Sequence, residues 1–417
     1  MNDWLSYILF AAALVTAAPI AIVVIECLAA LWPRRSICGE ATLSGARPRV
    51  DVLIPAHNEE AVLAATLKSV NAQTRPGDRV FVVADNCIDR TAEVARQCGA
   101  IAVERNDLQR RGKGYALDFG VRQLAAGRAD YVVIIDADCT LAEGTLDALA
   151  RQCAATGKPV QGGYVMTSPA SPSPRDLVSR VAVAVKNQVR QRGVSTLGGP
   201  AILTGSGMAF PWATLTSAHL ASGNIVEDMQ LSFDLLLAGH APTFCSAAEV
   251  VAPLPQQRNA SLTQRTRWEH GHLQTLLRRV PRLAWQGVRQ CRPQLLFAAA
   301  DLAVPPLSLL VTAWFGVFVA SLCAAAGGLS PLPLVVSSIT GALLLAAIAV
   351  ACKLFAPDVS LGRLLTAVPT YVIGKLPIYA KFLLRRQITW VRTDRDVAPS
   401  GVATPHLPLV SNTTSSR

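Results

Sequence analysis

The stretch Tyr131–Cys139, YVVIIDADC, constrains this chain more than any other. Four apolar residues, Val132 to Ile135, run straight into two carboxylates one residue apart, Asp136 and Asp138. Such a run reads as a short strand buried on both faces, as in a parallel sheet. The carboxylates then lie at its carboxyl end, where open α/β sheets bind ligands. An Asp-x-Asp in that place offers oxygen ligands to a divalent cation, and the cation can hold a diphosphate. A helix cap with a spare surface carboxylate is the plain alternative, so the tripeptide needs support from the rest of the chain.

Composition narrows the setting. Of 417 residues, 51% are hydrophobic and 16% charged, too apolar for a purely soluble enzyme. The formal net charge of +11 points first to positive cytoplasmic flanks and anionic lipid. No basic run interleaves with aromatics, so nucleic acid is not an expected partner. The ten cysteines are scattered singly, without a Cys-x-x-Cys pair. That spacing fits reduced thiols better than a disulfide frame or zinc site.

Trp4 to Trp32 carries one charge, Glu26, and is long enough to span a bilayer. No basic residue precedes it, unlike a signal peptide, and Arg34 and Arg35 follow it. The positive-inside rule then puts the N-terminus outside and everything after Pro33 in the cytoplasm. Residues 1–33 are read as this membrane helix and residues 34–48 as a linker rich in small residues.

A βα alternation starts at Arg49. Strands are expected at Val50–Ile54, Arg79–Ala84 and Ala100–Val103, before the YVVII strand. Helices are expected at Glu59–Gln73, Arg90–Cys98 and Gly112–Ala126. Alternation of this kind means a parallel sheet with helices on both faces. Three strands end at Pro55, Asp85 and Asp136, so these ends share one edge. Beyond the Asp pair the pattern loosens. Helices are expected at Leu177–Arg192, Ile225–Ala238 and Ser261–Val280, and a strand at Ala201–Phe210 interrupted by Gly205 and Gly207. Leu295–Ala326 and Pro333–Cys352 read as spans, the first open to breakage at Pro305-Pro306. Leu364–Leu384 contains Lys375, Lys381 and two prolines, and basic residues Arg385, Arg386, Arg392 and Arg395 follow. A helix lying in the cytoplasmic interface is the favoured reading there. The tail from Thr404 is expected to be disordered.

Five stretches then point at one task. They are Pro55-Ala56-His57-Asn58-Glu59, Asp85 in ADNCIDRT, Arg111-Gly112-Lys113-Gly114, Asp136-Ala137-Asp138, and Glu227-Asp228 with Gln264-Arg265-Thr266-Arg267-Trp268. In this order they resemble the membrane-integrated family 2 glycosyltransferases, among them cellulose, hyaluronan and poly-N-acetylglucosamine synthases and ceramide glucosyltransferase. The resemblance covers about Arg49 to Trp268. It implies an α/β fold: a GT-A type nucleotide-sugar-binding domain at 49–280 with a mostly parallel sheet. Transmembrane and interfacial helices at 281–386 and a basic, then disordered, tail at 387–417 would complete the chain.

The family's roles carry over to matching positions as expectations. Pro55, Glu59, Asp85, Lys113, Asp136, Asp138, Gln264 and Arg267 would bind the nucleotide sugar, with Asp138 and Asp136 holding Mg2+ or Mn2+. Asp228 would be the general base and Glu227 its helper. Gly205, Ser206, Gly207 and Trp268 would line the acceptor side. Partners implied are a UDP-sugar donor, a glycan or lipid-linked acceptor, the lipid bilayer, and other polysaccharide-assembly proteins. The setting implied is the bacterial inner membrane, and the reaction transfer with inversion. A processive synthase, a transporter and an inactive sugar-nucleotide sensor are the competing readings; about three spans favour single addition over a polymer channel. The residue types also have plain structural uses. Asp85 can cap a helix, Glu227 and Asp228 can stabilise a helix start, Lys113 can lie on the surface and Trp268 can fill a core. His270 and His272 face apart on a helix and do not make a metal pair.

Overall fold

The computed structural model describes residues 3–32, 46–169, 171–223, 226–254 and 258–384. Linker positions 34–45, Ile225, Arg385, Arg386, Arg392, Arg395 and the tail from Thr404 lie outside the described residues. The strands are β1 (Val50–Ala56), β2 (Arg79–Asp85), β3 (Ile101–Arg105), β4 (Tyr131–Ile134), β5 (Thr140–Leu141), β6 (Val160–Thr167), β7 (Met208–Pro211) and β8 (Thr243–Pro253). They form one sheet in the order β3-β2-β1-β4-β7-β6-β8-β5.

The first half, β3-β2-β1-β4, is parallel throughout, as the alternation predicts. β1, β2 and β4 are almost wholly buried, and β3 at the edge is not; the helices that follow the strands are α2 (Leu63–Asn71), α3 (Thr91–Gln97) and α4 (Lys113–Leu124). The second half is mixed. β7 runs antiparallel to β4 and β6, β6 pairs parallel with β8, and β5 closes the edge antiparallel to β8. None of β5, β6 and β8 was expected. β6 contains Gly162-Gly163 with a register shift between them, which removes the apolar alternation that marks a strand.

The strand expected at Ala201–Phe210 shrinks to β7. Residues 201–207 leave the ladder because side chains take their backbone groups. Gln191 bonds both the N–H and C=O of Ile202, Ser232 Oγ accepts from Leu203 N–H, and Gln161 Oε1 accepts from Thr204 N–H. Gly205 and Gly207 have φ of +95° and +68°, a conformation strands do not use.

The remaining helices are α1 (Asp3–Ala30), α5 (Thr145–Thr156), α6 (Pro174–Ala184), α7 (Gln191–Thr196), α8 (Trp212–Ser217), α9 (Glu227–Ala238), α10 (Arg258–Arg278) and α11 (Val280–Arg289). They are followed by α12 (Pro293–Ala303), α13 (Leu307–Ala326), α14 (Leu332–Phe355) and α15 (Leu361–Leu384). A π-helical turn, Val185–Arg190, joins α6 to α7 without a break. Pro305-Pro306 splits the expected Leu295–Ala326 span into α12 and α13. Among the described residues, α1, α13 and α14 are long and apolar enough to cross a membrane. Their outer faces expose large apolar side chains such as Val15, Phe315 and Leu343. α15 is not in that set. Its Lys375 is turned inward and paired with Glu269, so only Lys381 keeps the exposed basic character the interfacial reading used.

The membrane helices share a core with α6 and the π-turn, through Ile20, Val23, Val181, Val185, Leu344 and Tyr371. Arg190 of the π-turn fastens this joint. Its guanidinium lies 2.5 Å from Glu26 of α1 and 2.5 Å from Asp301 of α12, all three nearly buried. Beside it α1 and α7 touch backbone to backbone: a Cβ on Gly193 would sit 1.9 Å from the Glu26 carbonyl oxygen. Gly193→Ala is therefore expected to force the two helices apart and cost about 1–3 kcal/mol. Thermal unfolding of the full chain in detergent measures this, and an unchanged midpoint would contradict the packing.

Candidate active site

The site is built on the carboxyl edge of the parallel half. β1 ends at Pro55-Ala56 and β2 at Asp85, and each is followed by an asparagine in the left-handed region, Asn58 (φ 55°) and Asn86 (φ 52°). Asn58 Oδ1 accepts from Ile88 N–H at 2.8 Å, and Asn86 Oδ1 accepts from Asp107 N–H at 2.8 Å. These bonds lock the edge loops together. His57 serves the same purpose, its Nδ1 lying 2.6 Å from the Asp85 carbonyl oxygen. Asp85 does not cap the following helix; Asp89 does, accepting from Thr91 N–H at 3.0 Å. Asp85 Oδ1 instead accepts from Arg105 at 2.5 Å and from Asn86 Nδ2 at 3.0 Å. The sequence reading missed Arg105, whose partner lies 20 residues away and becomes a neighbour only through the β2–β3 pairing.

Lys113 opens α4 and is no surface lysine. Its ammonium pairs with the Asp136 carboxylate and donates to the Gly205 carbonyl at 2.7 Å. A Cβ on Gly205 would lie 3.3 Å from Lys113 Nζ, 3.5 Å from Asp228 Oδ2 and 3.9 Å from Asp136 Oδ2. Residues 113, 136, 205 and 228 thus converge on one point. Asp228 sits in the first turn of α9, where its Oδ1 accepts from Met229 N–H at 2.8 Å and Oδ2 is left facing the cleft. Of the three residues expected on the acceptor side of this loop, Gly205 alone reaches the cavity wall. Ser206 is fully buried and accepts from Asp136 N–H at 3.0 Å; Gly207 is spent on backbone bonds to Ile134 and Gly162. Both hold the loop rather than face a ligand.

One cavity of about 580 Å³ joins these groups. Pro55, Glu59 and Asp85 line its outer end, then Lys113, Asp136 and Asp138. Gln264, Arg267 and Trp268 of α10 close over Glu227 and Asp228. Arg267 Nε is buried with no hydrogen-bond partner among the described residues, a donor aimed at something the protein does not supply. His270 and His272 each bond a carbonyl instead, of Ile378 and Val304, at 3.0 Å. Burial, with Lys186 and Arg190 nearby, pushes His272 down to about 3 and keeps it neutral. All nine described cysteines are free thiols.

Charge in the cleft is unevenly distributed. Burial, then the Asp228 carboxylate beside it, push Glu227 from 4.5 up to about 7, with Lys113 and Arg267 opposing. Burial works against the Lys113 ammonium, but Asp136, Glu227 and Asp228 outweigh it and hold the pKa above the usual lysine value. Asp136, Asp138 and Cys139 bring ligand atoms within 4.8 Å of one another, the one such group among the described residues. Burial raises the Cys139 thiol well above its ordinary range, so it stays protonated and is a poor ligand for a hard cation. Two carboxylates in that setting fit Mg2+ or Mn2+.

A mixed α/β sheet with paired acids, a half-buried lysine and a facing carboxylate at one edge is a GT-A type fold. Residues 48–271 match the family described as glycosyltransferase like family 2, and the chain belongs to it. Over 101 residues it is 36% identical to a probable glycosyltransferase of Bacillus subtilis, YdaM, covering 22% of this chain and 23% of that one. Over 107 residues it is 36% identical to 4,4'-diaponeurosporenoate glycosyltransferase of Staphylococcus haemolyticus, covering 25% and 26%. The match thus spans about a quarter of these relatives' length. In fold the chain is similar to a mannosyltransferase from Pyrobaculum calidifontis, solved with GDP-mannose and Mn2+. The TM-score is 0.54 at 21% identity, over 91% of this chain and all of that one, so the likeness extends to the apolar helices.

The raised Glu227 pKa has a consequence for stability. The folded state holds the proton more tightly than the unfolded chain, so this contribution is complete below about 4.5 and disappears as pH rises through about 7. Glu227→Gln is expected to flatten the fall in melting temperature between those two values. A wild-type profile no steeper than the variant's would remove the perturbation.

Proposed function

We propose that this protein transfers a sugar, with inversion at C1, from a nucleoside diphosphate sugar to a lipid-linked or glycan acceptor at the cytoplasmic membrane face. The observation that carries this reading is the meeting of Lys113, Asp136, Gly205 and Asp228 in one cavity. Asp85 and Glu59 bind the nucleoside, and Lys113 and Arg267 meet the diphosphate. A divalent cation held by Asp136 and Asp138 would neutralise charge on the leaving group. Asp228 accepts the proton of the attacking hydroxyl as its oxygen bonds to C1. In the same step the C1–O bond to the diphosphate breaks, its electron pair leaving with the nucleoside diphosphate. Glu227 tunes Asp228 by charge, Gln264 orders the diphosphate side, and Trp268 offers its flat face to the acceptor sugar. UDP is the carrier expected from the family resemblance, and the mannosyltransferase solved with GDP-mannose puts GDP-sugars beside it in the screen. The three candidate spans among the described residues support single addition rather than a polymer channel.

Purified full-length protein incubated with UDP- and GDP-sugars and Mn2+ or Mg2+ should release nucleoside diphosphate, and chelation with EDTA should stop it. Asp228→Asn should retain nucleotide binding and lose about 10²–10⁴ in turnover. Full turnover in that variant would take Asp228 out of the base role. Asp138→Asn should lose cation-dependent nucleotide binding, measured by calorimetry with and without Mn2+; unchanged binding would remove it from the cation site.

A further inference from the structure

The cavity does not stop at the donor acids. It continues inward to α12, α13 and α15, where Val304, Pro306, Ser308 and Tyr371 line it. One wall of this inner half is a single stripe of α6 and the π-turn: Ser179, Ala182, Val183, Lys186, Asn187 and Arg190. These positions recur at helical spacing, so the helix lays one face along about 16 Å of cavity. The same inner half is lined by the apolar side chains of Val23 of α1 and, on either side of the Pro305-Pro306 break, Leu302 of α12 and Leu307 of α13.

The charged groups there are not equivalent. Arg190 is matched by Glu26 and Asp301, and Lys375 by Glu269. Lys186 makes no ion pair or hydrogen bond among the described residues, although Asp228, Glu269 and Asp301 are near enough to act on it. It is exposed, and the surface it exposes belongs to the cavity. The surrounding cavity walls desolvate its ammonium and lower its pKa below the usual lysine value, with the Asp228 carboxylate opposing. Next to it Asn187 Oδ1, and two turns earlier Ser179 Oγ, are buried without hydrogen-bond partners among the described residues. Asn187 and Ser179 are 7% and 6% exposed, deep enough that a missing partner is costly. A π-turn is itself an uncommon element, found mostly where a helix serves a site.

We propose that the inner half of the cavity is the acceptor subsite and that Lys186 receives the anionic head group, phosphate or carboxylate, of an amphiphilic acceptor. Its apolar tail lies along the apolar part of the inner lining, beside Leu302, Val304 and Leu307. Ser179 and Asn187 complete the polar contacts around the head. Lys186 thereby selects for acceptor charge, while Asp228 stands between it and the donor. This rests on the glycosyltransferase reading above and specifies its acceptor.

The test uses full-length protein in a neutral maltoside detergent, with dodecyl phosphate, dodecanoate, neutral dodecyl glucoside and inorganic phosphate as probes in calorimetry. Dodecyl phosphate and dodecanoate should bind at least tenfold more tightly than dodecyl glucoside. Lys186→Gln should reduce that preference below threefold, and Lys186→Arg should keep it. Asn187→Asp, which sets a like charge beside the head group with Lys186 intact, should also lower it. Equal binding of charged and neutral probes, or a preference surviving in Lys186→Gln, would overturn the subsite. Inorganic phosphate binding as tightly as dodecyl phosphate would overturn the amphiphile. Nucleoside diphosphate release, followed in the same preparations, separates the two levels. Its absence from wild type would overturn the transferase reading alone, and its presence without a Lys186-dependent preference would overturn the subsite alone.

Discussion

One ammonium group makes this cleft foldable. Asp136, Glu227 and Asp228 face the same small volume, and carboxylates that close repel strongly once water is thinned out. Lys113 stands among them, bonded to Asp136 and to the Gly205 carbonyl, and it is also the residue that opens α4. Its placement depends on the glycines on either side. Gly112 has a φ of +127°, and a Cβ on Gly114 would press to 2.5 Å from the Leu220 carbonyl oxygen. The helix start, the 201–207 loop and the α9 start are therefore positioned by one charge. Burial, and then the Asp228 charge that Lys113 only partly offsets, raise the Glu227 pKa.

A second buried cation does the corresponding work at the membrane side. Arg190 joins α1 and α12 to the π-turn that forms the cavity wall. Burying three charged groups is unfavourable unless all are satisfied. Here the guanidinium also donates to the Asp301 carbonyl at 2.9 Å, so the geometry is nearly complete. The catalytic sheet and the apolar helices thus share a rigid joint, and the cavity crossing that joint keeps its shape.

The parallel half was legible in the sequence because its signal is local. Val50–Ile54, Arg79–Ala84 and YVVII are apolar runs that end at residues able to bind, and they sit where the alternation puts them. The acids of the site were legible for the same reason, since each follows a strand or opens a helix. The mixed half was not. β6 is broken by glycines, β8 holds polar residues and a proline, and the 201–207 segment is shaped by Gln161, Gln191 and Ser232 from elsewhere in the chain. Arg105 and Lys186 were invisible as site residues because each looks like an ordinary surface cation on its own element. Only the tertiary fold turns one toward Asp85 and the other into the cavity.

The two ends of the cavity differ in what they ask of a ligand, and that difference explains why one protein has both a GT-A sheet and membrane helices. The outer end presents acids and Lys113, suited to a cation and a diphosphate that arrive through water. The inner end presents an unpaired lysine beside paired charges and the apolar side chains of Val23, Leu302 and Leu307, suited to a charged head that arrives with a tail. A nucleotide sugar gains nothing from the apolar joint, and an amphiphile gains nothing from Asp136 and Asp138. In the proposed reaction, opposite approaches would bring the attacking oxygen to the face of C1 away from the leaving diphosphate, the alignment in-line displacement requires. Asp228 lines the same cavity as the groups of both ends, where the proposed base must stand. On this argument membrane attachment is part of acceptor recognition: the bilayer supplies one substrate's orientation, and the sheet supplies the other's.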